Sequence, residues 1–540
     1  MPKTLLLAAV SAAVTAVSAW ALGALLLRGL KLNLYRQEER LFAFLCGSAA
    51  LSLVVFGLAA VQLVYRGVFA GIAALLLVAA LLLRLHRSDA PLLPPLAGAW
   101  RWLLWGAYGA YAFLYLVHAM KPETSPDGAS YHLGHVARYA RAHGFAPAPD
   151  DMYGMLSQGA EMLFLFAFLY GRHPAAALVH CAFTLALPLL VLAYARRKGM
   201  RKAGAAGAIL VFAAPVTGVS GTAAYNDVAA AAVIFGCFYL LEIWDQTREW
   251  RLLVPIGVLA GFAYAIKYTA FLCAPFALGW LAWRLWRRPA ALARAAALAG
   301  VGVLVMAAPW MARNALYYQN PFAPFLNAWF PNPYQDPGFE QVYRRVMRTY
   351  HRIESPFQIP RQVLYRGDIV QGLVGPVFVL APLALLALRF PAGRRLLLAG
   401  AVFALPYTQN IGTRFLIPAL PFLSLALAMA LERIPLLTAG ILAAHALLSW
   451  PPVAAKYSKP YAFRLEGVPW RAALRLESEE AFLGREPGFR RARAIERHVP
   501  AGETVFTFTA IFDAYTSRNL LTGYQSVRSR TIWEMFSAAA

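Results

Sequence analysis

The chain has 540 residues, of which 60% are hydrophobic and 14% charged. Soluble domains carry roughly 25% charged residues, so a soluble globular protein is excluded. A net charge of +24 would point to nucleic acid in a soluble chain, but the Lys and Arg residues stand in short loops between apolar runs, where they report membrane topology instead.

Fourteen apolar stretches predict membrane helices: 5–27, 41–64, 68–84, 100–120, 174–195, 203–223, 227–244, 252–266, 269–286, 295–311, 368–388, 395–409, 414–431 and 436–450. The longer ones approach or exceed the roughly 20 residues that a spanning helix needs. The first run is longer than a signal-peptide core and is preceded only by Lys3, so it reads as a retained helix. Cys46, Cys181, Cys237 and Cys273 lie inside apolar runs without metal-ligand spacing and read as small core residues.

Basic loops set the orientation. Arg28, Lys31, Arg36 and Arg40 follow the first helix, and Arg84, Arg87 and Arg101 bracket the link after the third. Arg196, Arg197, Lys198, Arg201 and Lys202 form the densest run, followed by clusters at 248–251, 284–294 and 389–395. These fall on one side, the cytoplasmic one, provided that Met155–Tyr170 is not a full span. That stretch is short and polar in its first half, and it reads as an interfacial or half-inserted helix on the outer face.

The expected architecture is therefore an all-α polytopic membrane protein with about fourteen transmembrane helices. N-terminal transmembrane helices occupy 1–120. An extracytoplasmic catalytic loop with surface helices follows at 121–173. The transmembrane core runs over 174–450 and includes an outer loop at 313–367. An extracytoplasmic region closes the chain at 451–540. Its sequence RAIERHVPAGETVFTFTAI passes from a helical pattern through Pro-Ala-Gly into a β-rich run, the start of a small α/β unit.

Polar residues that chemistry could use gather on the outer side. Asp127, in KPETSPDGASYHLGHVARYARAHGF, precedes an amphipathic helix; it reads either as an ordinary N-cap or as a general base at the water–lipid boundary. His132 and His135, three apart on that helix, read as polar-face residues, or with Asp127 as a weak divalent-metal pattern. Asp227, beside Asn226 at a helix entry, is either a helix-start carboxylate or a second acid in the same cavity.

Lys267, Arg313 and Arg414 stand at outer helix ends. Lys267 reads either as a snorkelling side chain or as a partner for phosphate. All three run against the positive-inside bias, and an anionic ligand would account for them. In GFEQVYRRVMRTYHR, Arg344, Arg348 and Arg352 share a helix face. They would either hold anionic headgroups or clamp a lipid-linked phosphate.

Taken in order, DGASYHLGHVARYARAHG, MLSQGAEMLFLFAFLYG, GTAAYNDVAAAAVIF, GVLAGFAYAIKYTAFL, PWMARNALYYQNPFAPF and TRFLIPALPFL resemble the C-type glycosyltransferase (GT-C) superfamily. The likeness is to bacterial members related to protein O-mannosyltransferases and to the aminoarabinose transferases of lipid A. It covers about 121–431. The resemblance implies a multi-helix fold in the bacterial cell membrane with the active site on its outer face. It also implies a polyprenyl-phosphate sugar as donor and Asp127 as the catalytic carboxylate. Asp227 would be a further acid, and Lys267, Arg313 and Arg414 would contact the donor phosphate or shape its pocket. The position after the loop aspartate, acidic in the mannosyltransferase branch, is Gly128 here. A lipid-linked sugar flippase, or a ligase or polymerase of the O-antigen type, would share the helices and outer cations. The flippase reading would favour internal repeats, and none is visible; the ligase reading leaves the Asp127 region unexplained.

Overall fold

The computed structural model describes residues 2–96, 98–349, 353–509, 511–523 and 525–539. It opens with α1 (Pro2–Leu30), α2 (Arg36–Ala60), α3 (Arg66–Leu82) and α4 (Gly98–Met120). The first outer loop contributes α5 (Leu133–Ala142) and the single turn α6 (Met152–Met155). The core comprises α7 (Gly159–Arg197), α8 (Arg201–Ala213), α9 (Pro215–Gly221), α10 (Asp227–Thr247), α11 (Leu253–Ile266), α12 (Cys273–Leu285) and α13 (Pro289–Tyr318). The second outer loop carries α14 (Pro337–Thr349), and a 3₁₀ helix spans Pro376–Arg389.

The fold is helical, as expected, and among the described residues six helices are long and apolar enough to cross a membrane: α1, α2, α4, α7, α10 and α13. Two bent pairs raise this to eight; one is α8 with α9, bent by 61° where Pro215 opens the second helix. The other expected spans fall on shorter segments, so the count of fourteen does not follow from helix length. One short segment has a physical reason. Pro376–Arg389 winds as a 3₁₀ helix, which rises ~2.0 Å per residue, so its length reaches about 28 Å where an α-helix would reach about 21 Å.

α10 is buried along its membrane-spanning stretch and forms the centre; apolar on every side, it can be satisfied only by neighbours all around. The basic loops converge at one end of the molecule. Arg197 reaches Glu38 at 2.7 Å, while Lys198 at 2.5 Å and Arg395 at 2.6 Å share Glu242. Both glutamates are buried, so these pairs tie α2, α7, α10 and the segment after the 3₁₀ helix together where a lone charge would be costly.

The stretch read as a half-inserted surface helix is the first limb of α7. It is buried rather than lying on a surface, and it ends at Arg172, whose φ of 57° and ψ of −152° break the helix. Its start holds Glu161 near His132, and just past the break His173 meets the Ala514 carbonyl at 3.2 Å. Both ends thus touch the outer-loop and C-terminal layer, so the limb does not lead away from it.

The C-terminal region contains a two-stranded parallel sheet, β1 (Thr504–Thr507) and β2 (Asn519–Thr522), in the register Thr504↔Asn519. It docks on both outer loops. Tyr515 Oη donates to the Glu123 carbonyl at 2.8 Å, Arg475 to the Met120 carbonyl at 2.9 Å, and Arg530 pairs with Asp336 at 2.7 Å.

Candidate active site

The first outer loop builds one side of the site. Buried Glu123 accepts from the backbone N–H groups of Ser125 and Ala224, both at 2.7 Å, pinning the loop to the turn before α10. Asp127 then opens a π-helical turn, Gly128–His132, a form that often marks functional positions. Its side chain makes no capping hydrogen bond, so it does not act as the N-cap of this turn. The carboxylate faces Arg414, to which it is ion-paired, and accepts from Tyr131 Oη at 3.1 Å. Burial pushes its pKa up, but Arg414, His132 and the Tyr131 hydroxyl more than offset this, and the group is held below the usual carboxylate range. Gly128 has a local cause: a Cβ there would stand 2.4 Å from Ser125 Oγ and 3.0 Å from the Glu123 carboxyl carbon. A second acid there would have to displace Ser125 or Glu123 and would face the Glu123 carboxylate.

The core supplies the opposite side. Asp227 is the first residue of α10, accepts from Ser220 Oγ at 3.2 Å and is ion-paired with Lys267. Lys267 stands where α11 stops, and its ammonium lies 4.9 Å from the Phe415 ring centroid. Arg414, on a 3₁₀ turn at Thr413–Leu416, lies 5.5 Å from the Tyr225 ring and 5.3 Å from the Phe415 ring. Cations over aromatic faces gain ring-quadrupole attraction on top of their ion pairs.

These residues face two adjoining cavities. One of about 190 Å³ is lined by Asp227, Lys267, Asn226, Glu161, His132 and His135, among others. The other, of about 670 Å³, is lined by Asp127, Asp151 and Asp513, and by residues of the C-terminal region such as Phe508, Leu520 and Trp533. Arg414, Phe415, Met347 and the stacked pair Tyr131–Tyr153 (ring centroids 3.9 Å apart, 7° between planes) face both. Asp127 and Asp227 are therefore coupled through one arginine, which lies between the cavities.

Other expected residues are placed differently. Arg313 is buried and lines neither cavity. Its guanidinium donates to the Gly154 and Leu156 carbonyls at 3.0 Å, to Gln158 at 3.3 Å and to Asn314 at 2.8 Å, holding the backbone that leads into α7 instead of a phosphate. The basic helix α14 turns its apolar side, Val342, Val346 and Met347, toward the larger cavity, and Arg344 is exposed. An amphipathic helix buries its apolar stripe first; of the expected clamp only Arg344 can be placed, and it lines neither cavity, while the Arg348 side chain and Arg352 lie outside the described residues.

The metal pattern is also redistributed. His132 meets Glu161 at 2.5 Å and His135 meets Asp151 at 3.1 Å, so each histidine is paired with a carboxylate other than Asp127. Among the described residues no group of three or more His, Cys, Asp or Glu could hold a metal. Asn226 donates to the Ile266 carbonyl at 3.0 Å and to Glu161 at 3.4 Å, orienting the smaller cavity.

Glu161, Asp151, Tyr131 and Asp513 carry no expectation from the sequence, and Tyr225 stands out there only as part of the Tyr225-Asn226-Asp227 helix entry. For Glu161 a signal existed, a carboxylate inside an apolar run; the others gain their meaning only from tertiary partners.

Residues 158–312 match the family profile of dolichyl-phosphate-mannose-protein mannosyltransferases. The match supports membership of the C-type glycosyltransferase superfamily. It includes Asp227 and Lys267 and leaves Asp127 and Arg414 outside. No curated protein matches. Among solved structures, ArnT from Cupriavidus metallidurans bound to undecaprenyl phosphate aligns at 16% identity and a TM-score of 0.45, covering 79% of this chain and 86% of that one. Its apo state aligns at 15% identity and a TM-score of 0.44, covering 77% and 84%.

Proposed function

We propose that the chain is a membrane glycosyltransferase that moves a sugar from a polyprenyl-phosphate donor to an envelope glycan, lipid or protein acceptor on the outer face. The observation that carries this reading is the pairing of two acids with two cations, Asp127–Arg414 and Asp227–Lys267, between two adjoining cavities. The donor's phosphate sits against Lys267 and Arg414 with its sugar in the smaller cavity, and the acceptor approaches through the larger one.

The acceptor oxygen attacks the anomeric carbon as the bond to the phosphate oxygen breaks, through an oxocarbenium-like state. The electron pair leaves on the phosphate, where Arg414 and Lys267 stabilise the growing charge. The acceptor's proton passes to Asp127, and the anomeric configuration inverts. Without donor, Arg414 holds Asp127 ionised but weakly basic. A bound phosphate draws on the same guanidinium, so Asp127 becomes a better base only when a donor is present.

The test is mass spectrometry of glycolipids and envelope glycans in a deletion strain complemented with wild type or Asp127→Asn. We expect the variant to reach the membrane at wild-type level and to lose about 10²- to 10⁴-fold of transfer, the usual contribution of a positioned base. Full restoration of the glycan by Asp127→Asn removes the assigned base.

A further inference from the structure

At the opposite end of α2 from the first outer loop lies a separate cavity of about 790 Å³, between the C-terminal end of α1, the start of α2 and the stretch after α3. α2 begins at this cavity and ends where the Ala59 carbonyl accepts from the Phe145 N–H. Its 25 residues put roughly 37 Å between the two. The mouth is strongly basic: Arg28, Lys31, Arg40, Arg87 and Arg197 face two carboxylates, Glu39 and Asp89. Arg197 is committed to Glu38, and Arg28 donates to the Leu83 carbonyl at 2.7 Å. The side chains of Lys31, Arg40 and Arg87 have no acceptor among the described residues.

The cavity is not basic throughout. Trp20, Ala24 and Leu27 line it along one face of α1, above Arg28. From Arg28 to Trp20 is eight residues, about 12 Å of apolar wall reaching away from the charged rim. A free phosphate would use the rim only. A lipid uses both, its phosphate among the cations and its chains against α1.

We propose that this cavity binds the phosphate headgroup of an anionic phospholipid, at the face that the Lys/Arg bias makes cytoplasmic. Basic pockets between membrane helices on that side take such headgroups. The site is independent of the sugar-transfer reading and stands or falls without it.

The test uses the full chain in nanodiscs of phosphatidylcholine doped with phosphatidylglycerol, with native mass spectrometry counting the lipid that stays bound on transfer to detergent. Wild type retains phosphatidylglycerol over phosphatidylcholine. At about 1 kcal/mol per cation near an anionic headgroup, K31Q/R40Q/R87Q lowers retention roughly a hundredfold. Arg40→Gln alone lowers it about fivefold and Arg40→Lys restores it, which keeps the test decisive if the triple variant folds poorly. Equal retention of both lipids, or unchanged retention in the Gln variants, overturns the proposal. So does displacement by inorganic phosphate at equal concentration together with indifference to Ala24→Leu, since that outcome leaves a simple anion at the rim.

Discussion

The Asp227 carboxylate is 3% exposed; it is ion-paired with Lys267, and Arg414 acts on it from farther off. Removing one member of such a pair leaves the other charge buried and unmatched, at a cost of about 3–5 kcal/mol. Lys267→Gln should therefore lower thermal stability in detergent by that order, and Asp227→Asn combined with Lys267→Gln should recover a large part of it, because no charge is then left alone. Melting curves of the two single variants and the double variant check the pairing, and no recovery in the double variant would show that the two do not act as a unit. Transfer should stay lost in all three, which separates the chemistry from the packing. At this scale the sequence was a partial guide. A charge among apolar neighbours is conspicuous whatever it does, so Asp227, Lys267 and Arg414 could be found, and so could Arg313. The signal was the same for all four, but only the folded chain distinguishes a cation facing a cavity from one that braces the carbonyls of 154–156.

Helix–helix contact explains why α1 and α2 pair so tightly. A Cβ at Gly23 would fall 1.8 Å from the Ala43 carbonyl oxygen, and one at Gly47 would fall 1.7 Å from that of Ala19. The two backbones touch where both lack side chains, the small-residue packing that membrane helices use when hydrophobicity cannot drive them together. Gly47→Val should separate them and cost more than about 3 kcal/mol, measured as lost folded yield and a lowered melting temperature; a wild-type melting profile would contradict the close approach. Most helices were legible as apolar runs, and the basic loops between them were legible as one end of the molecule. The pairing of α1 with α2 was not, because Gly23 and Gly47 carry no periodic signal. Nor was the direction of α14: its arginines stand out in the sequence, but its apolar side supplies the wall of the larger cavity.

At the scale of the whole molecule, the basic end and the site lie at opposite ends of α2, and this can be tested without any substrate. The four native cysteines are buried, so single cysteines at the exposed positions Pro126 and Arg87 report directly. An impermeant thiol reagent applied to intact cells should label the first and spare the second; the reverse pattern would invert the orientation and move the proposed reaction to the cytoplasm.

The C-terminal region lines the larger cavity and packs on α5 through the turn that carries Asp513. A Cβ at Gly134 would stand 2.8 Å from the Asp513 Cβ, so the turn at 513–515 sits directly on the helix. Burial, then the nearby Asp151 carboxylate, raise the Asp513 pKa from 3.8 to about 7, with Arg138 and Arg141 offsetting part of the rise. The folded chain thus keeps a proton that the unfolded chain has already released. Stability falls as pH climbs from 3.8 to about 7 and is level outside that window, because the native state binds more protons within it. Asp513→Asn removes the ionisable group and with it this slope. Its melting temperature should equal that of wild type near pH 4 and exceed it above pH 7, by up to about 4 kcal/mol of stability, the linkage of a shift from 3.8 to about 7. Parallel melting profiles across the window would mean that Asp513 is ionised throughout, and that the C-terminal region is held on α5 by its neutral contacts alone.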